Sequence, residues 1–209
     1  MDARATRERD PGEARIFLVR HGRSEGNRGA ALLGRSDPPL TPMGLEEADA
    51  AGMLLQRRIR PGVRLYTSPL ARARESARRI GAVLGVPVRL APALVELDMG
   101  RLEGMTWAGA PAERARWETA PERYRFPGGE GLDDVARRAS TWFEEEHRDH
   151  RGDTILVAHL FVILALTARL IHLPLEELLH LFLEPGGVVE VHRGAGTTRL
   201  HGLYPGTLL

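Results

Sequence analysis

The chain has 209 residues, 43% of them apolar and 27% charged, an ordinary balance for one compact folded domain. It holds no cysteine, which excludes disulfide frameworks, zinc-thiolate sites and thiol nucleophiles. All 29 basic residues are arginine and 28 acidic residues balance them, so a net charge of +1 gives no broad field for nucleic acid, although local arginine clusters can bind small anions.

Residues 1–13 carry no periodic apolar pattern and read as a mobile leader to a domain spanning 14–209. The opening stretch lacks the apolar core of a signal peptide, and no run approaches the roughly 18 apolar residues of a membrane span. A cytoplasmic protein with no membrane partner is expected.

IFLV (16–19) is a short apolar run ending in a glycine-containing turn, as in a buried strand, and VRLYTS (63–68) is a weaker second strand. Between them, Thr41-Pro42 offers an N-cap and a first helical position to GLEEADAAGMLLQRRI. A second helix is expected over 69–84. Further on, 133–147 reads as an amphipathic helix, TILVA (154–158) as a buried strand, and LFVILALTARLI (160–171) as an apolar helix ended by Pro174. GGVVEVHRG and TTRLHGLY read as two late strands joined at Gly194-Ala195-Gly196. The middle, 97–132, has glycines, prolines, Trp107, Trp117 and Tyr124 without clear periodicity, and reads as a loop-rich cap over a site. The alternation of elements predicts a three-layer α/β/α sandwich on a mostly parallel central sheet.

Chemistry concentrates after the first strand, where IFLVRHGRSEGN can be parsed two ways. Gly22-Arg23-Ser24-Glu25-Gly26 fits the G-x-S-x-G turn of a serine hydrolase, with Ser24 as nucleophile. That fold places strands before its nucleophile, and only one candidate strand precedes Ser24. With His21 as nucleophile instead, phosphoryl transfer needs cations around three non-bridging oxygens and a proton donor. Arg20, Arg72 and His159 each follow a strand, and ligands of open α/β sheets gather beyond the carboxyl ends of strands. Taken singly, Arg72 reads as one of a solvated helical group with Arg74, Arg78 and Arg79, and His159 as a core histidine. Their shared position at strand ends sets them apart. Asn27 is the one asparagine of the chain, six residues after His21, a hint that the loop needs an amide. EEEHRDH (144–150) reads as a solvated helical face, leaving no recognisable metal-ligand cluster.

These residues resemble the histidine phosphatase superfamily, also called phosphoglycerate mutase-like, from about Ile16 to Val191. RHGRSEGN is similar to R-H-G-x-[ST]-x-x-N. GRSDPPLTPMGLEEA is similar to G-x-x-D-x-x-L-T-x-x-G-x-x-Q-A with Glu47 where glutamine is usual, and SPLARARESA to S-x-L-x-R-A-x-x-T-A with Ser76 for threonine. LVELDMGRLEG matches L-x-E-x-x-x-G-x-x-E-G, and PGGEGLDDVARR is similar to the G-G-E-S segment. Five blocks in the family's order make the resemblance specific.

The resemblance implies His21 as phospho-accepting nucleophile and Glu96 as general acid then base; were Glu96 not the acid, Asp98 or Glu103 would be next in line. It implies Arg20, Asn27, Arg72 and His159 as phosphate ligands, with no metal and no cofactor. Candidates for substrate contact are Ser24, Gly34, Leu160 and Trp107. Leu160 and Phe161 follow His159 where the family usually has glycine first, so a narrower, more apolar pocket floor is expected. Only 33 residues (97–129) separate Glu96 from Glu130, whereas mutases of the family carry a long insertion there. The expected activity is a phosphomonoester phosphatase on a small phosphorylated metabolite. The alternatives are a cofactor-dependent phosphoglycerate mutase, an inactive phosphate-binding module and, last, a serine hydrolase. A homodimer is compatible with this reading.

Overall fold

A computed structural model describes residues 13–28, 30–194 and 196–205 of the chain, with backbone alone described at 27 and 28. Residues 1–12 of the expected leader, and Ala195 of the expected hairpin turn, lie outside the described residues. Glu13 is described, and its side chain pairs with His192 and Arg199.

Six strands form one sheet in the order β3-β2-β4-β1-β5-β6. β1 (Ala14–Arg20), β2 (Arg64–Thr67), β3 (Val88–Leu90) and β4 (Thr154–Ala158) are mutually parallel. β5 (Val188–Gly194) runs antiparallel to β1, and β6 (Thr197–Tyr204) antiparallel to β5. Side chains alternate across the pleat, so one strand feeds two cores. Phe17 and Val19 of β1, with Ile155 and Val157 of β4, pack against Leu55, Ala73, Ala77 and Ile80. These last lie on α1 (Pro42–Gln56) and α2 (Ala71–Leu84). Ile16 and Leu18, with Leu156 and Ala158, face the other way onto Phe143, Val162 and Leu166. Those side chains belong to α4 (Leu132–Glu146) and α5 (Leu160–Ile171). The three-layer α/β/α expectation holds.

Local signals account for the helix ends. Thr41 caps α1 by accepting the Gly44 N–H at 3.0 Å, with Pro42 supplying a preset φ at the first position. α5 stops one residue earlier than Pro174 alone requires: His172 takes a left-handed conformation (φ 56°), and the Leu173 N–H returns to the Ala168 carbonyl.

The cap contains more regular structure than expected. α3 (Pro111–Thr119) crosses it without a single fully buried residue, and a short α6 (Leu175–Leu178) follows α5. Trp107, Trp117, Tyr124 and Phe126 of the cap form one aromatic cluster, joined by Phe161 of α5 at 5.7 Å from the Trp117 ring. The cap is thereby packed onto the body through ring contacts. No described helix is long and apolar enough to cross a membrane.

Candidate active site

Strand register brings the candidates together. β2, β4 and β1 are neighbours, and Arg20 pairs with Ala158 while Thr67 pairs with Val157. The residues that follow, His21, His159 and Ser68, therefore emerge side by side at the carboxyl edge. The His21 and His159 ring centroids lie 5.0 Å apart.

His21 is held by its own turn. Its Nδ1 lies 2.7 Å from the Gly22 carbonyl, which can only accept, so Nδ1 carries the proton and Nε2 keeps its lone pair. Arg72 Nε donates to that Nε2 at 3.2 Å. Burial, reinforced by the Arg72 charge, depresses the His21 pKa to about 3, so the ring is neutral at ordinary pH. The Gly22 N–H donates to Ser76 Oγ at 3.0 Å, and Ser76 donates to the Arg72 carbonyl at 2.8 Å. One hydroxyl, serine where the family has threonine, thus joins the His21 turn to the first turn of α2. Gly22 also packs directly on the start of α1, where a Cβ would meet the Gly44 carbonyl oxygen at 2.0 Å.

Arg72 is 4% exposed and fully engaged, donating to the Gly34 and Ser36 carbonyls and to Asp37 besides His21. Gly34 acts through Arg72 and is held from behind by Glu103, which accepts the N–H groups of Gly34, Arg35 and Ser36. Glu103 and Asp98, the reserve acids, are both committed: Asp98 accepts the Gly100 N–H and pairs with Arg35.

Arg20 donates to the Leu183 carbonyl, while its buried Nε has no partner among the described residues. His159 is fully buried; Ser68 Oγ lies 2.7 Å from its Nε2, and its Nδ1 likewise has no partner. Burial first, then the electrostatic influence of the neighbouring His21 ring and of the arginines, drives the His159 pKa well down. Burial thus keeps the His159 ring neutral at ordinary pH. Glu96 is 6% exposed and accepts the Leu97 N–H at 2.8 Å; burial raises its pKa, against the pull of that bond and of Arg72 and Arg20.

A cavity of about 180 Å³ is lined by Arg20, His21, Ser24, Arg72, Glu96 and Leu160, with Leu33 and Pro38 among its apolar walls. Leu160 is one of the wall residues of this cavity. Trp107 does not line the cavity; it lies in the aromatic cluster with Trp117, and Phe161 joins the same cluster. The bulk of both rings is spent on cap packing. The Asn27 backbone lies in the turn Glu25–Arg28, and its side chain falls outside the described residues. A larger recess of about 590 Å³ opens around His147, Arg151 and Arg193 at the opposite edge of the sheet. Both ring nitrogens of His147 are bonded there, to the Phe143 carbonyl and to Thr154 Oγ1, so it offers no free nucleophile.

The profile of the histidine phosphatase superfamily (branch 1) matches residues 16–204. The chain belongs to that family. It is 34% identical over 174 residues to a glucosyl-3-phosphoglycerate phosphatase of Mycolicibacterium vanbaalenii, covering 78% of this chain and 76% of the other. It is 33% identical over 196 residues to a 2,3-bisphosphoglycerate-dependent phosphoglycerate mutase of Parvibaculum lavamentivorans, covering 88% and 93%. Among solved structures, a mycobacterial glucosyl-3-phosphoglycerate phosphatase in complex with VO3 superimposes with a TM-score of 0.80 at 30% identity, covering 90% of this chain and 97% of that one. This histidine phosphatase keeps its set of charged groups at one strand edge; the partners that sequence reasoning missed are the Ser68 hydroxyl and the Leu183 carbonyl. Ser68 sits inside the quoted S-x-L block and was legible there, whereas a backbone carbonyl has no residue signature.

Proposed function

We propose that the protein is a phosphomonoester phosphatase working through phosphohistidine at His21. The observation that carries this reading is the pair of buried ring and guanidinium nitrogens, His159 Nδ1 and Arg20 Nε, that have no partner among the described residues, beside a neutral His21 with its Nε2 lone pair free of a proton. Buried polar groups in folded proteins nearly always have partners, so these two nitrogens suit ligand oxygens.

The His21 Nε2 lone pair attacks phosphorus, the ester P–O bond breaks, and the leaving alkoxide takes the Glu96 proton. Arg20, Arg72 and His159 bear the charge on the non-bridging oxygens. Burial keeps His159 neutral, and an incoming phosphate dianion favours its protonated form. The Glu96 carboxylate then takes a proton from water, water oxygen bonds phosphorus, and the P–N bond breaks with its pair returning to Nε2. Ser24 lines the cavity as a supporting hydroxyl. A short cap admits water to the phosphoenzyme, which favours hydrolysis over the product retention a mutase needs. A cytoplasmic setting and a homodimer belong to the same reading, open to fractionation and light scattering.

The deciding experiment mixes the full chain briefly with labelled phosphate ester and quenches it. We expect an acid-labile, base-stable label that disappears in His21→Ala and persists in Ser24→Ala, and net phosphate release that does not need added bisphosphoglycerate. Label on Ser24, or phosphoryl exchange between phosphoglycerates with negligible release, overturns the reading.

A further inference from the structure

We propose that Glu190, His192 and His201 form a binding site for a divalent transition-metal ion, Zn²⁺ in the first instance, on the β5–β6 hairpin. Glu190 and His192 stand two residues apart on β5 and so project from one face of the sheet. The register between β5 and β6 slips at this point: Glu190 pairs with Gly202 and Val191 with Leu200, leaving His201 as the extra residue of a bulge. Bulges re-aim side chains, and this one lays the His201 ring over His192 at 4.0 Å. One ligand atom from each of the three residues lies within 4.8 Å of the others.

The surroundings are those of a supported ligand. His192 Nδ1 faces Glu13 at 3.0 Å while its Nε2 faces Glu190 at 2.8 Å. A metal-bound histidine usually donates its second ring nitrogen to a carboxylate, as His192 can to Glu13. Glu190 is itself oriented by the Tyr204 hydroxyl, which donates to it at 2.7 Å. Two imidazoles and one carboxylate suit Zn²⁺ and its neighbours in the first transition row. Ligand atoms on one tetrahedral Zn²⁺ lie roughly 3.3 Å apart, so His201 has to turn out of the stack; it is exposed and free to do so. Arg58, 3.7 Å from Glu190, and Arg199, 2.9 Å from Glu13, oppose the cation and set a limit on affinity.

The competing arrangement is a plain hydrogen-bonded triad, with His192 held between the Glu13 and Glu190 carboxylates and no metal. Calorimetric titration of the full chain with Zn²⁺ separates the two. We expect one saturable site that survives in His21→Ala, so that the catalytic imidazoles are not its source. His201→Ala, a change at the surface, should weaken it at least ~10-fold, and Glu13→Gln by ~10- to 100-fold. His201→Gln, checked for an unchanged melting temperature, guards against a folding artefact. Absence of saturable binding, or binding that survives in both His201 variants, overturns the proposal.

Discussion

Arg72 Nε donates to His21 Nε2 at 3.2 Å, so the lone pair of the proposed nucleophile is covered by a cation that the proposed reaction needs elsewhere. The same charge helps hold the ring neutral. Arg72→Ala should therefore act in two directions at once. It should lower kcat/KM by ~100- to 1000-fold through lost charge stabilisation, and raise the His21 pKa from about 3 towards its ordinary value in an NMR titration. A drop in rate with an unmoved His21 titration contradicts the pairing.

Among the described residues, Glu96 is the only carboxylate lining the cavity beside His21, and burial raises its pKa. In the proposed mechanism its protonated form serves as the acid. Activity should decline as pH rises through that raised pKa, and Glu96→Gln should remove this limb. The variant should also slow esters with poor alcohol leaving groups by roughly 100-fold or more, while sparing activated aryl esters. Equal losses on both classes would remove Glu96 from the proton-donor role.

His21 and His147 are both buried neutral, with pKa values lowered to about 3 and about 4, burial being the larger cause in each. Below about pH 6.5 the unfolded chain takes up protons that the folded one refuses. Their contribution is complete above that pH and is lost as pH falls towards 4 and then 3. Urea unfolding at pH 7 and pH 4.5 should show a loss on the order of a few kcal/mol, and His147→Gln should flatten the slope. Equal stability at the two pH values would contradict the burial.

Leu160 and Phe161, adjacent in sequence, should respond differently. Leu160 lines the catalytic cavity, so Leu160→Gly should shift the kcat/KM ratio between an aryl phosphate and a sugar phosphate by up to ~1 to 3 kcal/mol. Phe161 packs on Trp117, so Phe161→Ala should leave that ratio alone and destabilise the fold by roughly 2 to 3 kcal/mol. A changed ratio in the Phe161 variant would place that ring at the pocket after all.

Asp153 has a fully buried side chain and accepts from Arg15 and from both the backbone and side chain of Arg60. Burial pushes its pKa up, but the bonds from Arg60 and Arg15 win and hold it below the ordinary value. Asp153→Ala should strand two guanidinium groups at the start of β1 and β4, costing about 3 to 5 kcal/mol in chemical denaturation with little change in kcat of the folded fraction. A loss under 1 kcal/mol would mean the cluster is solvated.

Where apolar period and turn chemistry coincide, the elements were legible: α5 begins and ends where LFVILALTARLI does, and Thr41-Pro42 marks the start of α1. β3 was not, because Val88–Leu90 is a three-residue edge strand exposed at every position, with no buried face to leave a pattern. α3 was missed for a related reason: Arg114–Glu118 and Glu113–Arg116 pairs run along its surface where an apolar stripe would normally be seen. At the site, position after a strand was enough to gather Arg20, His21, Arg72 and His159. What position cannot reveal is burial, which makes His159 neutral and raises the Glu96 pKa. The Glu190, His192 and His201 group escaped because it depends on a slipped register between two strands.

Gly22 and Gly44 lie backbone against backbone: a Cβ at Gly44 would fall 2.0 Å from the Arg23 carbonyl oxygen, as one at Gly22 would from the Gly44 carbonyl. Neither clash involves a side chain that a second substitution could shrink. Two motifs twenty-two positions apart are therefore one mutational unit without a compensating path, and a library randomised at both sites should return the parental pair almost alone.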